Sequence, residues 1–124
     1  MQKALRFYVY EKSTDVVNDV TGIFDNKSQK ITLKCELKNQ MGKEIHGVRG
    51  TLRFTTQFHE VVADISIETT AAIEPGQVIG VNWNVPTDRL KPEAFEKLKK
   101  AKLEDLRQVW IPTMIAFTDG TVLK

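Results

Sequence analysis

Period-two alternation runs through most of this chain, and it leaves few folds open. In ITLKCELK (31–38), Ile31, Leu33, Cys35 and Leu37 share one parity, and Thr32, Lys34, Glu36 and Lys38 share the other. Successive side chains of a strand point to opposite faces, so this segment reads as a strand with one face buried and one wet, the habit of antiparallel sheets. The same signal returns along the chain. Val48, Leu52 and Phe54 oppose Arg49, Thr51, Arg53 and Thr55. Val61, Ala63, Ile65 and Ile67 then share an inward parity, as do Ile79, Val81, Trp83 and Val85, and finally Ile111, Ile115 and Phe117. Leu5, Phe7 and Val9 mark a first strand.

Turn signals separate these runs. NQMGK (39–43) reads as a turn with Gly42 free to take positive φ, and Pro75-Gly76 occupy the centre of a type II turn. The stretch 12–29 is rich in turn residues and reads as a long connection. Gly50, inside a strand, predicts a bulge or a close backbone approach. Residues 91–108 break the alternation and read as helical. Pro92 suits a first helical position, and Glu93 suits the first turn. The stripe Ala94, Leu98, Ala101 and the stripe Leu103, Leu106, Trp110 lie out of phase, which predicts two short helices with a break near Lys100–Lys102. Short strands, frequent turns and one helical insertion describe a single all-β domain over residues 1–124. The expected architecture is a two-sheet antiparallel β-sandwich with a short helical insertion near 91–108, and a small barrel is its competitor.

Composition bears on function mainly by exclusion. The 124 residues carry 18 Lys and Arg against 16 Asp and Glu, a net charge of +2, which is too balanced for charge alone to indicate a nucleic-acid or membrane surface. The lone Cys35 cannot form an intramolecular disulfide. No apolar run approaches the ~18 residues that span a bilayer.

Each chemical candidate has a plainer structural reading beside it. FTDGT (117–121) resembles the D-x-D-G-T motif of haloacid-dehalogenase-type phosphatases, but Phe117 stands where the nucleophilic Asp belongs and cannot form an acyl-phosphate. Asp119-Gly120 between two strands is instead a strong two-residue hairpin signal, expected as a type I′ turn. His46 and His59 stand 13 residues apart, with no partner at metal-ligand spacing, and read as surface residues. Cys35 shares its parity with leucines and reads as a buried structural thiol. Lys97, Lys99, Lys100 and Lys102 form one basic run, in which Glu93 and Glu96 precede Lys97 and Lys100 by four residues, as in a self-paired solvated helix face. Asn82 and Asn84 flank Trp83. An exposed Trp there could stack on a sugar or base, whereas its parity, like the setting of Trp110, suits the core. No catalytic, cofactor-binding or metal-binding residue is assigned, no cofactor is expected, and the chain is not expected to be an enzyme.

The succession ITLKCELKNQMGKEIHGVRGTLRFTTQFHEVVADI, then I-x-P-G, an outgoing strand with Trp83, a short helical insertion and WIPTMIAFTDGT, resembles the immunoglobulin-like domains of uncharacterised bacterial secreted proteins and lipoproteins, akin to the FxLYD-type group. The likeness spans residues 30–122. At Thr56 and His59 the chain departs from it, since the resemblance implies Asp and Gly around that hairpin. The resemblance implies an immunoglobulin-like fold and an exported, non-enzymatic binding or spacer module of the cell envelope, with any export signal, lipobox or lipid anchor lying outside these 124 residues. The alternative is a small β-barrel that binds oligosaccharide or nucleic acid through Arg49, Arg53 and the lysine run. Nucleic acid is not the expected partner. A protein, or a second copy of the chain, is expected to add a strand at a sheet edge, with Leu5–Val9 and Thr121–Lys124 as the least protected segments.

Overall fold

The computed structural model describes residues 3–21, 24–86 and 89–124, and the side chains of 15–21 and 24–28 lie outside the description. Among the described residues, seven strands and one helix follow one another. They are β1 (Leu5–Thr21), β2 (Phe24–Asn39), β3 (Ile45–Thr55), β4 (Val61–Thr69), β5 (Val78–Pro86), α1 (Pro92–Lys100), a 3-10 turn at Leu103–Asp105, β6 (Arg107–Phe117) and β7 (Val122–Leu123). The strands form two antiparallel sheets. The first has the order β1-β2-β5 and the second β4-β3-β6-β7. This is the expected all-β sandwich with a short helix, and its two separate sheets differ from a closed barrel.

The parities read from the sequence build the core between the sheets. Leu5, Phe7, Val9, Ile31, Leu33, Cys35 and Leu37 face inward from the first sheet. Val48, Leu52, Phe54, Ala63, Ile65, Ile67, Ile115 and Phe117 face them from the second. Trp110 is also buried, with its ring stacked on Phe7 at a centroid distance of 4.7 Å. Phe95 and Leu98 of α1 join this core, and the helix lies against β4. Asn39 is a buried polar knot. Its amide donates to Lys43 O (2.7 Å) and Ile73 O (2.8 Å), and its side-chain oxygen accepts from Met41 N–H (2.8 Å). The bend at 40–43 is held by this side chain, and Gly42 does not use the positive φ expected of it.

Several expectations change in the folded chain. The stretch 12–29 is not a loose connection. Its backbone continues the β1–β2 ladder from Lys12↔Leu33 to Thr21↔Phe24, well past Lys30↔Pro86, where β5 stops pairing. The hairpin therefore projects as a two-stranded ribbon. Parity slips wherever a strand carries an extra residue. Register shifts place Tyr10, His46, Val62 and Thr113 as those residues. Val61 is consequently 53% exposed rather than inward, and Trp110 and Pro112 take the inward side that had been expected of Ile111, which is half-buried. The helical segment ends early. α1 stops at Lys100, the predicted break falls at Ala101–Lys102, the second helix is a single 3-10 turn, and β6 has begun by Arg107.

Gly50 shows both features predicted for it. It sits at the bulge of β6, and a Cβ there would lie 2.6 Å from Ile111 O, 2.7 Å from Trp110 Cη2 and 2.9 Å from Pro112 Cα. Gly76 has φ +77°, and Gln77 N–H donates to Glu74 O (2.9 Å), as a type II turn requires. The Asp119-Gly120 hairpin forms, but not as a type I′ turn. Only Gly120 is left-handed (φ +88°), Gly120 N–H donates to Phe117 O (3.1 Å) and Phe117 N–H to Thr121 O (2.9 Å). That is a three-residue loop, a type I turn closed by a left-handed residue.

Candidate binding site

Two sheets of unequal width leave four strand edges, and the chain treats them differently. An edge exposes a row of backbone N–H and C=O groups that a further strand can pair with, so most edges carry some device against it. At β1 the device is Gln108. Its amide accepts from Val9 N–H (2.8 Å) and donates to Val9 O (2.8 Å), a side chain standing in for a neighbouring strand, and the bulge at Tyr10 interrupts the edge just beyond. At β4 the exposed face carries Asp64 and Glu68, and α1 lies alongside. β7 has only two residues. The segment Leu5–Val9, expected from the sequence to be among the least protected, is therefore clamped at its Val9 end.

β5 carries none of these devices. Its nine residues, VIGVNWNVP, contain no charge, and proline enters only at the last position. Its register with β2 is unbroken from Lys30↔Pro86 to Lys38↔Val78. Asn39 N–H donates to Gln77 O (3.1 Å), so the ladder to β2 runs through the odd-numbered residues of β5. The backbone groups of Val78, Gly80, Asn82 and Asn84 point away from β2 and have no hydrogen-bond partner among the described residues. The inward side chains of this strand are also incompletely covered. Val85 is buried, but Ile79, Val81 and Trp83 are half-buried. Beside them runs a groove of about 640 Å³ between β5 and β4, lined by Trp83, Pro86, Leu90, Arg89, Asp64 and Glu68 among others.

The residues that sequence reading raised for chemistry do not converge. Cys35 is fully buried, its thiol contacts Leu33 O at 3.5 Å, and burial pushes its pKa up to about 12, so it is held as the unreactive thiol. His46 is exposed on its bulge. His59 is exposed at the β3–β4 tip, where it takes φ +65° and its ring lies 3.4 Å from Arg107 Nη1. Arg53 forms a bidentate pair with Asp64 (2.7 and 3.0 Å), and Arg49 pairs with Glu68 at 3.3 Å. Glu96 takes Lys99 at 3.5 Å and Lys100 at 3.9 Å. Asp119 accepts from the hydroxyl and N–H of Thr121 and pairs with Lys43 at 3.2 Å. The Thr121 bonds, with the lysine behind them, hold its pKa down to about 2. Its role is that of a turn residue. Arg49 and Arg53 share β3 and are paired with acids of β4, Lys97, Lys99 and Lys100 share α1, and Trp83, Asn82 and Asn84 lie together on β5. Sequence reading missed two features. Gln108 lay inside the expected helix, and Phe58, 86% exposed at the tip beside His59, gave no periodic signal.

Among the described residues, no helix is long and apolar enough to cross a membrane, and no three metal-ligating side chains cluster. No family model matches the chain, and no curated protein matches it. Among solved structures, the "X-ray structure of Northeast Structural Genomics Consortium target SoR45" is similar over 99% of this chain and 82% of that one, at 8% identity and a TM-score of 0.45. Nothing about function passes across a likeness of that degree.

Proposed function

We propose that this domain is a non-enzymatic binding module that takes up an extended segment of a protein partner at the β5 edge. One observation carries the reading. β5 alone among the four edges presents a continuous, uncharged row of backbone groups beside half-buried apolar side chains. Strand addition suits that arrangement, since main-chain bonds supply affinity and alternate side chains meet Ile79, Val81 and Trp83. The resemblance to immunoglobulin-like domains of exported bacterial proteins supports placing such a module, or a spacer of the same type, in the cell envelope. A lipobox or export signal encoded upstream would test that placement directly.

The binding reading is tested with an uncharged synthetic nonapeptide of alternating Val and Thr. We expect it to perturb the amide resonances of residues 78–85 and leave β4 and β7 unmoved, with affinity insensitive to salt. Perturbation elsewhere, or none at millimolar peptide, contradicts the proposal. In the oligosaccharide or nucleic-acid alternative, Arg53, Arg49, Lys99 and Lys100 are already paired with Asp64, Glu68 and Glu96, and that alternative predicts affinity that falls steeply with salt.

A further inference from the structure

We infer that the occupant of the β5 edge is β5 of a second copy of this chain, paired antiparallel about a twofold axis at Asn82. This rests on β5 being the binding edge and adds which partner fills it and in which register. A twofold pairing requires a self-complementary strand, because each residue meets its mirror position in the other copy.

Centred on Asn82, the register sets Asn82 opposite Asn82, Gly80 opposite Asn84, and Val78 opposite Pro86. These even-numbered residues are the ones whose N–H and C=O point outward, so each central pair exchanges both backbone bonds. Pro86 has no N–H to give, but it meets Val78 at the rim, where its carbonyl still accepts. On the inward side the same register sets Val81 against Trp83 and Ile79 against Val85. Three of those four side chains are half-buried in the single chain, and each gains an apolar neighbour. The outer side carries only Val78, Gly80, Asn82, Asn84 and Pro86. No charge opposes its own copy anywhere along the strand. At β4, by contrast, a twofold pairing would bring Asp64 and Glu68 of both copies together. The two three-stranded sheets would merge into one continuous six-stranded sheet, with β5 and its copy at the centre.

The test exploits the axis, where a residue faces itself. Asn82 is exposed and its side chain makes no core contact, so its replacements are expected to fold, which circular dichroism verifies. Sedimentation equilibrium of the full chain should show a concentration-dependent dimer. Asn82→Lys and Asn82→Asp should each weaken it by roughly tenfold or more, because like charges meet at the axis, and an equimolar mixture of the two should restore it as a mixed dimer. A wild-type chain monomeric at millimolar concentration overturns the inference, as does a dimer indifferent to both substitutions. If the monomeric chain still bound the Val-Thr peptide at residues 78–85, self-pairing would be wrong while the binding edge stood. If it bound nothing, both would fall.

Discussion

The first sheet and the second sheet close their edges by different means. In the second, β4 is flanked by α1 and carries acids tied across to Arg49 and Arg53, while the other side ends on the two-residue β7. Its centre is keyed by backbone contact, since β3 and β6 meet at Gly50 too closely for any side chain. In the first sheet, a borrowed amide from Gln108 caps β1 at Val9, and no described residue caps β5. The narrower sheet thus keeps an opening that the wider one lacks. The difference shows that edge protection in this fold is local and can be withdrawn at one strand without loosening the core behind it, where Leu33, Cys35 and Leu37 of the adjacent β2 remain fully buried.

The sharpest way to break the second sheet is at its key. Gly50→Ala should destabilise the domain by the upper end of roughly 1–3 kcal/mol or more, because two of the three nearest atoms are backbone and cannot rotate away. Urea denaturation would show a lowered midpoint at unchanged slope. An unchanged midpoint would mean that the two strands are not in the contact described. Opening the first sheet's protected edge comes next. Gln108→Ala should cost about 1–2 kcal/mol, as Val9 N–H and C=O lose their partners. The variant should also gain association through β1, visible as larger species in sedimentation. Retained stability would make the clamp incidental.

Smaller effects compare the two hairpin tips of the second sheet, which share one turn. At β3–β4, Thr56 N–H donates to Glu60 O (2.9 Å) and His59 N–H to Thr56 O (3.0 Å), matching the bonds around Gly120 at β6–β7. His59 therefore holds the left-handed position that Gly120 holds without strain. His59→Gly should stabilise by up to about 1 kcal/mol, and Gly120→His should destabilise by a similar amount. Opposite shifts in melting temperature would confirm the equivalence, and shifts of the same sign would refute it. The smallest effect is one of pH. The Asp119 carboxylate is held down to about 2 from its ordinary 3.8, so its contribution is full above pH 3.8 and is lost as the pH falls toward 2. Asp119→Asn should flatten the acid limb of stability slightly in that window and nowhere else.

Much of this architecture was legible because parity is a local property. The sequence around Cys35 places its neighbours on the correct faces without knowledge of any partner strand. Extra residues defeat that reasoning. Val61 and Ile111 were assigned by parity counted across Val62 and Thr113, and a bulge is set by the opposite strand's needs, as the contact of Gly50 with Ile111 and Pro112 shows. The ribbon at 12–29 was missed for another reason. Its Asn, Asp and Ser residues carry turn chemistry, while its pairing comes from continuing an established ladder rather than from burial. The candidate site was legible only as residues. Trp83, Asn82 and Asn84 were singled out together, but whether β5 lies at an edge, and whether Gln108 reaches Val9 from 99 positions away, depends on topology that no local pattern carries.

Amide hydrogen exchange followed against protein concentration compares the two edges of the first sheet in one sample. The account predicts that Val9 is protected at every concentration, because Gln108 holds it within the chain. Gly80, Asn82 and Asn84 should exchange freely in dilute solution and become protected as the concentration rises. Protection of those three amides already complete in dilute monomer, or exchange that stays fast in all of them at millimolar concentration, would contradict an open β5 edge that a second copy fills.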